Sequence, residues 1–316
     1  MVAVVASVGL VTLLIQLAGA RAVWDRMATM DWRWVGLAGG LSLLLPVLRG
    51  ARFVATMPTV RLSLMTAVVG VQNFMARIMP FRTGELALPY LLGRHGAETS
   101  ARAFVLLVWL RLMDAWLLAG LLAIGVVLHV GDGDGSLFWY ALAAFAGFSV
   151  ALFWLGAGLR LFFGGAVWAL SRRGVQRLSA FRSLAEKVAE AADSVGALSV
   201  ARRGAAVSWT LAVWGLQFVI FAAILRAYGA DVSPLDVVVG VSLAQLAAAL
   251  PLPSVGSVGT HEVGWVIGFG FVGLDRSLAV VSGVAAQVFT LVFAGCVALL
   301  SVGYLRRLRP LGEAHR

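Results

Sequence analysis

Charge is scarce in this sequence. Only 13% of its 316 residues are Asp, Glu, Lys or Arg, about half the share of an ordinary soluble domain. So few charges cannot solvate a surface this size, and 61% of the residues are hydrophobic. Most of the outside is therefore expected to face lipid. Cysteine is nearly absent. The single thiol, Cys296, excludes an intrachain disulfide and gives no metal cluster. Histidine numbers four, and no spacing of His, Cys and carboxylates reads as a metal site. A phosphate-binding loop with its lysine, a dinucleotide fingerprint and a nucleophile elbow are all missing. No catalytic residue, metal or cofactor is assigned, and an ATP-driven pump would need a partner. The chain is not expected to be an enzyme. Lysine is also rare: of the 25 basic residues, only Lys187 is not arginine.

What is abundant is long apolar runs. Six reach the ~20 residues that cross a bilayer: 2–20, 35–55, 103–128, 137–157, 205–228 and 278–305. The first is read as a retained helix, since no cationic segment precedes it and no cleavage site follows. The net charge of +10 does not indicate nucleic acid, because the arginines sit mostly between spans, where they set orientation. The 158–204 segment carries Arg160, Arg172, Arg173, Arg177, Arg182, Lys187, Arg202 and Arg203, and the tail carries Arg306, Arg307, Arg309 and Arg316. The "VGDGDGS" and "YGADVSPLD" loops hold only acidic charges. The first group is expected inside and the second outside, with both termini cytoplasmic in a plasma membrane. The 21–34 loop fits less well, with three Arg against two Asp. Within 174–198 an apolar stripe runs beside basic residues. It predicts an amphipathic helix against anionic lipid at the cytoplasmic surface.

Two further apolar zones, 64–93 and 235–273, are interrupted by "PFRTGELALPYLLGR" and "PLPSVGSVGTHEVGW". Given the loop charges, each zone enters and leaves on one face, from opposite sides. Both are expected to be re-entrant hairpins. Helix, helix, hairpin, helix then fills 1–130, and the same order fills 131–316 with opposite sense. Gln72 precedes Pro80 by eight and Gln245 precedes Pro253 by eight; Glu85 precedes Arg111 by 26 and Glu262 precedes Gln287 by 25. Such inverted repeats with broken helices recur in secondary transporters. The expected fold is all-α and polytopic, with about six full transmembrane helices and two re-entrant hairpins.

Irregular backbone at bilayer depth survives only where protein or a water-filled cavity covers it. Breaks at Pro80 and Gly84, and at Pro253, Gly256 and Gly259, therefore point to a shared interior cavity. Ionisable groups at that depth are costly and usually pair or line a pathway. Arg111 and Asp114, three apart on one helical face, can pair with each other or turn toward the cavity. Arg82 flanks the first break. Glu85 and Glu262 could bind a coupling proton or cation, accept bonds from a headgroup, or stitch the hairpin tips. His261 and Gln245 complete the candidate substrate-binding set; the plainer roles are a hydrogen-bonded structural histidine near a helix end, in place of one that titrates beside Glu262, and an interhelical hydrogen bond for Gln245.

These stretches resemble the lysylphosphatidylglycerol synthase transmembrane-region family of flippase-like membrane proteins, over most of the chain. Pro80, Arg82, Gly84 and Glu85 match its first motif, Arg111 and Asp114 its second, and Pro253, Gly256, Gly259 and Glu262 its third. Phe81 stands where glycine is usual. Leu88 replaces an arginine, Leu110 a glutamate, Val255 a proline and Ser257 a glycine. The resemblance implies movement of a lipid or lipid-linked headgroup between leaflets. In larger members a soluble aminoacyl-transfer domain makes the lysyl lipid, an activity not carried over to this chain. Loss of the arginine at Leu88 weighs against a strongly anionic headgroup. A membrane enzyme acting on lipid and a small-solute transporter are the alternative readings.

Overall fold

The computed structural model describes residues 28–130, 196–250 and 259–308, together with residue 25 and single positions within 136–147 and 187–193. All regular structure among the described residues is helical. The expected span at 2–20, and most of the 137–157 span and of the 174–198 amphipathic segment, lie outside them.

Helices α1 (Trp32–Ser42) and α2 (Leu45–Thr56) together make a stretch long and apolar enough to cross a membrane. The sequence reads as one helix over 35–55, but a turn at Leu43 and Leu44 divides it. The cause is Pro46, which has no N–H to offer the Ser42 carbonyl. The Leu43 and Leu44 amides instead donate to Gly40 and Leu41, at 3.2 and 3.0 Å.

Helix α3 (Leu62–Ile78) leads through a 3-10 turn (Thr83–Leu86) into α4 (Ala87–Arg94). Its 17 residues rise about 25 Å, short of a ~30 Å hydrocarbon core. Helix α5 (Ser100–Val130) follows, and α6 (Val200–Ala227) opens the second part. A 16-residue α7 (Pro234–Ala249) then pairs with α8 (Thr260–Phe271). The Ser233 hydroxyl and Asp236 carboxylate form a reciprocal cap that starts α7. Helix α9 (Arg276–Arg307) begins where the Asp275 carboxylate accepts the Leu278 N–H at 3.0 Å. Thus α5, α6 and α9 join the α1–α2 stretch as four candidate membrane spans among the described residues, with α3 and α7 as shorter apolar helices. The runs at 35–55, 103–128, 205–228 and 278–305 match these four.

The packing has a crossed pattern. Helix α2 lies on α6, α3 lies on α9, and α7 lies on α5. Within each part, α4 reaches α5 and α8 reaches α9. Two apolar cores result. One gathers Phe53, Met65, Val68, Leu88, Leu106 and Leu110. The other gathers Ile220, Phe221, Val241, Trp265, Phe269 and Ala286. Outward faces remain apolar, as at Leu128, Leu211, Ile267, Val292 and Leu299. That surface suits acyl chains rather than water.

Candidate functional site

A row of charged side chains runs along the seam between these cores. It begins at the first hairpin turn. Phe81 and Arg82 both have left-handed backbone, with φ of 54° and 55°, a conformation most side chains avoid. The fold at Phe81 therefore explains why glycine suits this position. The Arg82 carbonyl then accepts the Glu85 N–H at 3.0 Å, closing the turn. Gly84 faces the α3 backbone at Met75 and Ala76, where an added Cβ would collide with main-chain atoms.

The turn presents Arg82 and Glu85 to each other and to two helices. Arg82 Nε donates to Glu85 Oε1 at 2.9 Å, and its Nη1 donates to the Ala248 carbonyl of α7 at 3.0 Å. Glu85 Oε2 accepts from Arg111 Nε of α5 at 3.0 Å. Arg111 Nη1 reaches Asp114 Oδ2 at 3.5 Å, so the expected i,i+3 pair forms, though loosely. The closer partners of Asp114 come from elsewhere. Arg52 of α2 clasps it through both Nη atoms, and Trp214 of α6 donates its indole N–H at 2.9 Å. Arg52 and Asp114 are 3% and 6% exposed, so neither charge is dispersed by solvent and each depends on the other. Five elements are tied into one chain of ion pairs and hydrogen bonds.

Beside this chain lies a cavity. Arg82, Arg111, Arg49 and Arg77 point into it from the first part, Gln245 and His261 from the second. The expected substrate-binding residues are thus partly assembled. Arg82, Arg111, Gln245 and His261 reach the wall, while Glu85 and Asp114 stand behind it holding the arginines. His261 is 4% exposed and its Nδ1 has no partner among the described residues.

Glu262 is placed differently. It is 2% exposed, and its carboxylate accepts the Gly259 N–H at 2.6 Å, closing the first turn of α8. It is not on the cavity wall. Gly259 has φ of 94°, a conformation suited to glycine. Pro253 and Gly256 lie outside the described residues. Pro80 is exposed at the end of α3. The second hairpin is closed by shape. An added Cβ at Gly268 would stand 2.9 Å from the Gly240 Cα, and one at Gly264 would stand 2.6 Å from the Ala247 Cβ. Small residues spaced four apart let α8 lie against the α7 backbone.

Sequence reasoning missed Arg49, Arg52, Trp214 and Thr290. The first two had a signal: "LRGARF" places two arginines in an otherwise apolar span, where an unpaired cation is costly. Trp214 and Thr290 had none, since both are ordinary residues of apolar helices. Arg77 donates to Thr290 Oγ1 at 3.2 Å on the cavity wall.

No curated protein and no solved structure matches the chain. A family model does: that described as the lysylphosphatidylglycerol synthase TM region matches residues 1–298. Long apolar helices, the charged residues of the first two motifs joined along one seam, and a match over nearly the whole length place this protein in the lysylphosphatidylglycerol synthase transmembrane-region family.

Proposed function

We propose that the protein moves a lipid or lipid-linked headgroup between the leaflets of the plasma membrane, without altering it chemically. The supporting observation is the polar cavity walled by residues of both hairpins and directly bridged from Arg82 to the Ala248 carbonyl. A headgroup enters between the hairpins while its acyl chains stay in the bilayer. The crossed packing of α3 on α9 and α7 on α5 is what two inverted repeats related by a twofold axis would give. On this reading α3–α4 and α7–α8 are re-entrant from opposite faces, the arginine-rich loops and both termini are cytoplasmic, and the basic 158–204 segment meets anionic lipid. Rocking of one repeat against the other carries the headgroup across.

The test is leaflet transfer in proteoliposomes, read by quenching of headgroup-labelled lipid in the outer leaflet. The intact chain should raise the transferable fraction well above protein-free vesicles. Arg82→Gln and Arg111→Gln should return it to the background in protein that keeps its helical circular dichroism. Wild-type protein no faster than empty vesicles, across anionic, zwitterionic and cationic lipids, would remove the assignment.

A further inference from the structure

Two arginines on the cavity wall have no carboxylate partner among the described residues. Arg49 donates to Asn73 Oδ1 at 2.6 Å and to Gln217 Oε1 at 3.2 Å. Arg77 donates to Thr290 Oγ1 at 3.2 Å. All three acceptors are neutral. A guanidinium carries five N–H donors, so most of this capacity is unused among the described residues. Arg49 Nε is shut away from solvent with no acceptor among the described residues. The other three arginines of the seam, Arg52, Arg82 and Arg111, share Glu85 and Asp114. Five guanidiniums against two carboxylates leave an excess of three positive charges. Sheltered charge of one sign is costly until a counter-charge arrives.

The location of the pair is equally informative. Arg49 and Arg77 line this cavity and also a second, adjoining one. The second has an apolar side made by Leu45, Pro46, Phe293 and Val297, opposite polar groups that include Ser42 and Gln217. The two guanidiniums therefore stand between the polar cavity and the apolar side of its neighbour. A phospholipid has the same profile, with a phosphate between its headgroup and its acyl chains. Arginine forks suit that phosphate because each can hold two oxygens at once.

Among the described residues, the polar side offers no free carboxylate to an ammonium group. Both oxygens of Glu85 are held by arginines, Asp114 is clasped by Arg52, and Glu262 closes its own helix. None of the three lies on the cavity wall. We infer that the ligand is a phospholipid with a net negative headgroup, its phosphate held by Arg49 and Arg77, and that a headgroup ending in an ammonium is disfavoured. This rests on the lipid reading above and narrows its substrate class. It also answers the absence of an arginine at Leu88, since Arg49 and Arg77 supply cationic charge from other helices.

The experiment is titration of the intact protein, in a neutral maltoside detergent, followed by native mass spectrometry. The probes are dioctanoyl phosphatidylglycerol, its lysyl ester, dioctanoylglycerol and glycerol 1-phosphate. Phosphatidylglycerol should bind at least about tenfold more tightly than the lysyl ester or the phosphate-free lipid, and Arg49→Gln and Arg77→Gln should each weaken it about tenfold. Arg77→Lys, which keeps the charge, should lose less than Arg77→Gln. Equal or tighter binding of the lysyl ester overturns the inference, as does unchanged phosphatidylglycerol binding in the Gln variants. Should a Gln variant fail to fold, the headgroup comparison on the wild type decides alone. Glycerol 1-phosphate binding as tightly as the lipid would keep the anion site but make its ligand soluble, overturning the lipid class. Phosphatidylglycerol that binds as inferred yet does not change leaflets would count against transport alone.

Discussion

At the first hairpin, Arg82 and Glu85 tie a strained turn to α5 and α7, and the connection runs on through Arg111 and Asp114 to α2. At the second, Gly264 and Gly268 let α8 settle onto the backbone of α7, and among the described residues the glutamate serves its own helix end. The same topological task is thus done by charge in one place and by shape in the other. Ion pairs among sheltered groups are mutually dependent, because removing one leaves another uncompensated. Glycine packing depends on volume alone. The asymmetry also divides the cavity: its cations come from the first part, while the second contributes neutral groups such as Gln245, His261 and the Ala248 carbonyl.

The sharpest way to break this contrast is Asp114→Ala. It strands Arg52 and takes one carboxylate from Arg111, and should cost about 3–5 kcal/mol, seen as a large drop in the thermal midpoint of the detergent-solubilised protein. A variant that melts like the wild type would show that the charge chain is not structural. Next in size is Gly268→Ala, whose methyl must displace the Gly240 backbone. A loss of about 1–3 kcal/mol is expected, and the same melting measurement reads it. Glu262→Gln should be milder. The amide oxygen can still accept the Gly259 N–H, so a cost of roughly 0.5–1 kcal/mol is anticipated. If Glu262→Gln proved as damaging as Asp114→Ala, the second hairpin would depend on charge after all. The smallest effect belongs to Phe81→Gly. Relief of left-handed backbone at a residue 56% exposed outweighs the extra freedom of the unfolded glycine, for a gain of at most about 1 kcal/mol. A lower melting point would mean that the Phe81 ring packs against something essential.

Parts of this arrangement were legible in advance because they follow from local chemistry. Continuous apolar runs must be helices where lipid cannot satisfy the backbone, so the four described spans are found where the runs are. Pro and Gly next to Glu85 mark a break wherever they occur in such a run. The pairing of charges was not legible. Arg111 and Asp114 are neighbours on one turn, yet Asp114 is held more closely by Arg52, 62 residues away. Spacing along one helix shows which groups can meet, whereas the competition among all arginines reaching that carboxylate is settled by how α2, α5 and α6 converge.

The residues alone determined that this chain lives in a membrane, that it is helical, and that its apolar zones near Glu85 and Glu262 are interrupted. Those outcomes depend on the solvent and on nearest neighbours, which composition and order specify. Only the tertiary structure decided which arginines are neutralised and which are not. It left Arg49 and Arg77 facing a cavity beside neutral partners and turned Glu262 to its own helix. Electrostatic compensation depends on distances of a few ångströms between segments far apart in sequence, and helix packing sets those distances.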